Sequence, residues 1–398
     1  MLQAQQYDSM RVTLPAAESL FLKKNLPLMA AYYQADAVKA NEIQKKLYPN
    51  PSISTELAAY GADGRWLDIG KNGQKSFGVE QLIILAGKRN KQLQLAREQS
   101  REAGLQFYDL LRTLKFSLRQ DYFTLAYSQE LIRQYDEQMR LLRQLIKAYD
   151  EQSLKKNVSL KDAVRLKTEY IQLSSDRNSI IMEAISARQN LQQLLDTSAV
   201  IIPVLEPAGL PPLPALAVLL EKAHAARPDL QIEESRVKQE QLNLRVQQAL
   251  AKPDLTLGTG YDQQGSYTRN LYTIRAAIDI PFFNRNQGNI KAAQSMIRSA
   301  ELMQQYKQSS VEKEVVGSLA RWQEAEREFK ESQESFNKEF PAVNQSVIEN
   351  FNKGNISLLE FLDFFENYNS AIRQLNQLGK QRQLAREELE YTVGSPIN

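Results

Sequence analysis

Asn157-Val-Ser-Leu160 recurs in this chain as Asn355-Ile-Ser-Leu358, an offset of 198 residues in a sequence of 398. The match belongs to a collinear series. Leu14-Pro15-Ala16 returns as Leu213-Pro214-Ala215; Leu93, Leu95 and Ala96 return as Ile290, Ala292 and Ala293; Pro51 returns as Pro253. Matches that keep their order at one long period mark a tandem repeat. The copies join in the window Ala199 to Leu220, which holds Pro203, Pro207, Pro211, Pro212 and Pro214. So many prolines cannot sit in a helix. The chain therefore reads as a first repeat over 1–198, a Pro-rich linker over 199–214 and a second repeat over 215–398.

Each repeat has the order helix, two strands, long helix, helix. In the first, Leu14 to Leu47 reads as helix, stopped by Tyr48-Pro-Asn-Pro51. Alternating runs follow at about 52–60 and 76–85, separated by the glycine-rich stretches Gly61-Ala-Asp-Gly64 and Gly70-Lys-Asn-Gly73. From Asn90 to about Lys156 there is no proline, and apolar residues recur in steps of three and four: Leu111, Leu114, Leu118, Tyr122, Leu125, then Tyr135, Met139, Leu142, Ile146. That is a coiled-coil seam, and at 1.5 Å per residue it makes a strut about 100 Å long. The second repeat predicts a helix over Leu213 to Leu250, strands at about 254–262 and 271–281, a long helix from Asn289 to Asn352 and a last one from Ser357 to Val393. The helix pairs turn at about 155–158 and 353–356.

The strands alternate. Ile53, Thr55, Leu57, Phe77, Val79, Ile83, Leu255, Leu257, Tyr261, Tyr272, Ile274, Ala276 and Ile278 fall on one face; Ser54, Glu56, Glu80, Thr256, Gly258, Thr273, Arg275 and Asp279 fall on the other. Strands of nine to eleven residues, apolar outward and polar inward, are the pattern of an outer-membrane barrel, and equally of a sheet packed on a helix. The choice rests on there being four strands and no other sheet or globular core to cover them. Four strands leave open edges, which lipid does not tolerate, so closure calls for several chains in one barrel.

Composition excludes whole classes. Cysteine is absent and His224 is the one histidine, so disulfide frameworks, thiolate chemistry and Cys/His zinc sites are ruled out. The seven methionines form no pair at helical spacing, and no resident metal or cofactor is expected. A net charge of +3, with both signs interspersed, gives no basic stripe for nucleic acid. No P-loop, G-x-S-x-G or H-E-x-x-H occurs, so no enzyme is expected. Met1-Leu-Gln-Ala-Gln-Gln lacks the charged and apolar regions of a signal peptide.

Duplicated α-β-β-α halves with two long helices and two strand pairs resemble the TolC family, the outer-membrane channels of tripartite efflux systems. The motifs that carry the resemblance are Leu14-Pro-Ala-Ala-Glu-Ser-Leu20, Tyr48-Pro-Asn-Pro-Ser52 and Gly354-Asn-Ile-Ser-Leu-Leu-Glu-Phe-Leu-Asp363. Ile280-Pro-Phe-Phe-Asn-Arg-Asn-Gln-Gly-Asn289 looks like the version in the heavy-metal branch, the cobalt-zinc-cadmium and copper-silver components. The fold so implied is mainly α with a small β part: a homotrimer closing a 12-stranded transmembrane β-barrel, four strands per chain, above a coiled-coil α-barrel in the periplasm. The implied partners are a periplasmic adaptor (membrane fusion) protein, an inner-membrane RND-type transporter and outer-membrane lipid. The implied role is passive conduction, of heavy-metal cations in the metal branch and of drugs or secreted polypeptides elsewhere.

By the same resemblance Lys156, Asn157, Ser159, Gly354, Asn355 and Ser357 are the adaptor-contacting tips, Glu360 and Asp363 form acidic rings that constrict the pore, and Asp162 is a latch between neighbouring helices. A second reading stands beside it. Ser357-x-x-Glu360 and Ser159-x-x-Asp162 also have the layout of a capping box, which needs no pore. Asp363 has no capping role. A soluble coiled-coil scaffold is the alternative from another class, and it leaves the apolar strand faces without a purpose.

Overall fold

A computed structural model describes residues 9–61, 64–71, 73–205, 212–264 and 267–397. In chain order the elements are β1 (Ser9–Val12), α1 (Leu14–Lys24), α2 (Leu26–Lys46), β2 (Ser52–Leu57), β3 (Lys75–Ile83), α3 (Lys88–Leu154), α4 (Leu160–Leu194), β4 (Val200–Pro203), α5 (Leu216–Ala226), α6 (Pro228–Leu250), β5 (Leu255–Gln264), β6 (Thr268–Ile278), α7 (Gln287–Asn352) and α8 (Leu358–Val393). The protein is mainly helical with a small sheet part. Its residues form two compact units: Met1–Ala30 with Tyr108–Arg227 and Ser309–Asn398, and Ala31–Phe107 with Pro228–Gln308.

In the first unit the helices pack along the seam the spacing announces. Leu131, Tyr135, Met139 and Leu142 of α3 meet Leu166, Leu173 and Ile180 of α4, themselves one heptad apart, and Leu358, Phe361 and Phe365 of α8. Ion pairs tie the rims: Arg177–Asp136 at 2.7 Å joins α4 to α3, and Lys380–Glu183 at 2.6 Å joins α8 to α4.

Two expectations fail here, each for a local reason. The single helix over Leu14 to Leu47 is two helices, because the Pro27 ring clashes with a carbonyl one turn back. Asn25 takes an extended conformation at the break. Its side-chain oxygen accepts from Leu28 N–H at 2.9 Å, starting α2, and its amide donates to the Leu194 carbonyl at 2.9 Å, finishing α4. The helix over Leu213 to Leu250 breaks likewise at Arg227, before Pro228. There the buried guanidinium donates to the Thr392 carbonyl at 2.9 Å and pairs with Glu314 at 2.8 Å.

The second correction concerns the linker and the number of sheets. Val200-Ile-Ile-Pro203, inside the window read as linker, is a strand that pairs in parallel with Ser9–Val12. A second sheet therefore exists. Its three β-branched residues precede most of the prolines, and the segment's hydrogen bonds go to a chain end a whole repeat away. Tyr122, buried beneath it, places its hydroxyl 2.8 Å from the Val204 carbonyl and 3.1 Å from that of Val12. Linker residues 206–211 lie outside the described residues.

In the second unit the sheet order is β2-β3-β5-β6, antiparallel throughout. Its centre is the β3–β5 pair, Lys75↔Gln263 to Ile83↔Leu255, which joins one repeat to the other. Lys88–Asp254 at 2.7 Å closes the end from which the helices leave, and Glu98 holds Lys238 at 2.7 Å between α3 and α6.

Candidate functional site

The four-stranded sheet sorts its side chains by face. The register stacks Ile53, Val79, Thr259 and Ile274 in one row, Thr55, Phe77, Tyr261 and Tyr272 in a second, and Ile83, Leu255 and Ile278 in a third. This face is open: Ile53 is 80% and Ile274 91% exposed, and Phe77, Val79, Leu257, Tyr272 and Ile278 are exposed too. The other face is polar. Glu80 and Arg275 approach within 3.9 Å across the row they share with Gly258, which lies between them. A Cβ at Gly258 would come within 2.8 Å of the Glu80 side chain, so glycine is what lets the pair meet. β3, β5 and β6 have nine, ten and eleven residues, the length that crosses a bilayer when tilted. β2 and β6 are the sheet's two edges.

The first unit holds the two helix turns. In the α3–α4 turn Lys156 takes φ 61°, and Asn157 N–H returns to the Gln152 carbonyl at 3.0 Å while its side chain donates to Gln152 Oε1 at 2.8 Å. In the α7–α8 turn Gly354 takes φ 76°, and Asn355 makes the matching pair of bonds to Asn350, at 2.9 and 3.0 Å. The 6→1 bond with a left-handed residue is a Schellman stop, which satisfies carbonyls at the helix end.

The serines that follow then cap the next helices, differently. Ser159 Oγ accepts from Lys161 N–H at 3.0 Å, and Asp162, too short to reach back, sits 3.7 Å from Arg165 on its own helix. Ser357 Oγ accepts from Glu360 N–H, and the Glu360 carboxylate accepts from Ser357 N–H at 2.7 Å, completing the capping box. That backbone hydrogen bond, with the one from the serine hydroxyl, holds the Glu360 carboxyl below the usual carboxylate range.

Asp363 is exposed, one turn further along α8. It lines a groove between α4 and α8 with Val164, Arg165, Glu169, Leu362 and Glu366. Burial, reinforced by the Glu366 and Asp176 carboxylates, pushes Glu169 up. Among the described residues no cluster of three or more potential metal ligands occurs, and no helix is long and apolar enough to cross a membrane.

Residues 219–395 match the outer membrane efflux protein family. The chain carries that family's signature over its second repeat. It is an outer-membrane efflux channel, a transport duct and not an enzyme. The cobalt-zinc-cadmium resistance protein CzcC of Cupriavidus metallidurans is 24% identical over 298 residues, 74% of this chain and 68% of that protein. The fold is similar to that of CusC (TM-score 0.78, 18% identity, 96% of this chain and 92% of that one). It is equally similar to the Campylobacter jejuni CmeC outer membrane channel (TM-score 0.79, 14% identity, 96% and 85%).

For an efflux channel, sequence reasoning passed over several residues. Glu169 and Glu366 line the same groove as Asp363, yet they stand in ordinary helical sequence with no motif around them. Arg165 faces the same groove, and its position is the repeat counterpart of Asp363, a pairing the 198-residue offset already contained. His224, the one histidine, lies 3.4 Å from Glu312.

Proposed function

We propose that this channel works as a homotrimer and serves as the exit duct of a tripartite efflux system. Three copies close their sheets into one 12-stranded barrel, apolar faces to lipid, and their helices into a tunnel. The observation that carries this reading is the sheet of the second unit, with one continuous exposed apolar face, a polar opposite face and unpaired outer strands. A barrel with four strands from each of three chains leaves no edge. Channels of this family are trimeric and work with adaptors and inner-membrane pumps in general. In this reading a periplasmic adaptor engages the turns at Lys156, Asn157, Ser159, Gly354, Asn355 and Ser357, and an RND-type transporter drives the cargo.

Heavy-metal cations are the proposed cargo, supported by the 24% identity to a cobalt-zinc-cadmium resistance protein. The α4–α8 groove suits cations, since Asp363, Glu366 and Glu169 line it and outnumber Arg165 and Lys161. Three-fold repetition of such carboxylates makes a negative constriction that favours cations over anions. Glu360 takes part in this reading only when its box opens, because its carboxylate is otherwise committed to Ser357. Asp162, bonded within its own helix, becomes a latch only by leaving Arg165.

The test is conductance of the detergent-purified protein in a planar bilayer, beside a Glu360→Ala/Asp363→Ala double variant. A small, cation-selective conductance that grows and loses selectivity in the variant supports the duct and its acidic gate. Wild-type conductance left unchanged by the substitutions removes the gate assignment. A protein that gives no conductance and stays monomeric removes the duct.

A further inference from the structure

Two places at the helix-side end of the sheet share a construction that neither the barrel nor the turns explain. In one, the Arg89 guanidinium lies 3.8 Å from the centre of the Tyr48 ring and donates to the Lys46 carbonyl at 2.8 Å. In the other, Arg285 donates to the Phe282 carbonyl at 3.2 Å, beside Phe282 and Phe283, whose rings meet edge to face at 5.2 Å. Each arginine is thus held by backbone next to bare aromatic surface. Tyr48, Phe282 and Phe283 are 71%, 68% and 88% exposed, which is unusual for residues so costly to leave in water.

Their neighbours have a consistent charge. Lys45, Lys46 and Lys252 are exposed at this end, and of the carboxylates Asp254 is taken by Lys88. Asp279, just past β6, is exposed, and Glu42 pairs with Arg97. Each guanidinium gives one N–H to the protein among the bonds described, with four remaining to donate in a planar fork suited to phosphate. Aromatic rings that sit at the headgroup level, with cations beside them, describe the boundary of a bilayer, and the apolar strand rows run directly into it.

We propose that Tyr48–Arg89 with Lys46, and Phe282–Phe283 with Arg285, are binding stations for the phosphate of glycerophospholipids in the leaflet on the helix side of the barrel. The rings lie among the acyl ester groups and the guanidiniums on the phosphates. The proposal rests on the barrel reading, and it adds an orientation: this end of the sheet, and not the end carrying Tyr60 and Trp66, is the one that grips phospholipid phosphate.

The test titrates the full-length detergent-purified protein with dioleoylphosphatidylglycerol and with dioleoylglycerol, which lacks the phosphate. Wild type is compared with Arg89→Gln/Arg285→Gln, with Arg89→Lys/Arg285→Lys, and with Arg269→Gln at the opposite end. Phosphatidylglycerol binding about fivefold weaker for each arginine lost, partly restored by the lysines and unaffected at Arg269, is the expected result. Equal binding of phosphatidylglycerol by wild type and the Gln pair overturns it, as does equal binding of the phosphate-free lipid. Displacement of the lipid by millimolar inorganic phosphate, with no preference for acyl chains, assigns the stations to a soluble anion and also overturns it. Flotation of wild type with phosphatidylglycerol vesicles separates the two readings: protein that does not float removes the barrel, while protein that floats with unaltered lipid binding in the Gln pair removes only the stations.

Discussion

In the α3–α4 turn Lys156 holds a left-handed backbone with a full side chain attached, whereas in the α7–α8 turn Gly354 holds it with none. The bonds around the two are the same, Asn157 to Gln152 and Asn355 to Asn350. Beyond the turns the repeats part. Ala163 faces the core where its counterpart is Phe361, Arg165 stands opposite Asp363 in rank, and Asp162 pairs forward along its helix where Glu360 bonds back to its cap. One added methylene decides that last difference, because glutamate reaches the Ser357 N–H and aspartate does not reach that of Ser159. The two turns share their stop signals, and the side chains beyond them differ: Arg165 follows the first where Phe361 and Asp363 follow the second. Pro341 adds to the asymmetry, since α7 runs through a residue with no N–H to give, while α3 has no proline.

The comparison can be broken at its aromatic side first. Phe361 is fully buried and stacks on Phe351 at 4.3 Å and Phe365 at 5.7 Å. Phe361→Ala, which copies the first repeat, is expected to cost about 3–5 kcal/mol, read as a lower midpoint in denaturant unfolding of the detergent-purified protein. Ala163→Gly on the other side should cost only about 1 kcal/mol. A Phe361→Ala midpoint equal to wild type would mean that these rings do not hold α8 in place. Pro341→Ala acts in the opposite direction: restoring a backbone donor inside α7 is expected to stabilise by up to about 3 kcal/mol, and thermal unfolding would show it.

Exchanging the turn residues is the next smaller step. Lys156→Gly removes a left-handed penalty of about 1–2 kcal/mol, and Gly354→Lys introduces one. The double exchange should leave the midpoint near wild type, which a differential scan can verify. Ser357→Ala should cost about 1 kcal/mol, and slightly more than Ser159→Ala, because two reciprocal bonds are lost where the first repeat loses one. The pH dependence is the finest probe. The Glu360 carboxyl lies below its unfolded value in the folded chain, so its contribution is fully present above about pH 4.3 and fades as pH falls through the folded pKa. Glu360→Gln keeps a box-competent side chain but not its charge, so it should flatten that acid limb by bringing stability at pH 7 down toward its acid value, as a pH series of unfolding midpoints would reveal.

Periodicity made the long helices legible, since the steps of three and four from Leu118 to Leu142 are the residues that are buried. Alternation likewise exposes the two faces of the sheet, because a strand's period of two needs no knowledge of its partner. What stayed hidden depends on distant partners. Nothing near Asn25 or Arg227 announces that each will close a helix end lying far along the chain, at Leu194 and Thr392. Ser9–Val12 and Val200–Pro203 are four-residue segments whose pairing skips an entire repeat, and short strands carry too little pattern to be seen alone. At the candidate site, Ser357-x-x-Glu360 was open between cap and pore because the motif specifies a reach and says nothing of what lies across the groove. Glu169 and Glu366 escaped notice for the converse reason: their groove joins two helices that the sequence keeps far apart.

The central β3–β5 pair has a consequence for how such a chain is made. Lys75–Ile83 and its partner Leu255–Gln263 belong to different repeats, so a ribosome must add the whole intervening span before the seam of the sheet can zip. Until then β2 and β3 form a two-stranded hairpin, which water alone barely sustains, with Ile53, Phe77 and Val79 uncovered. The slow, long-range closure comes last and the helices, built from local contacts, come early. A cell that produces this protein has to shield one hydrophobic hairpin for the time it takes to supply its mate, and the span between β3 and β5 sets the length of that wait.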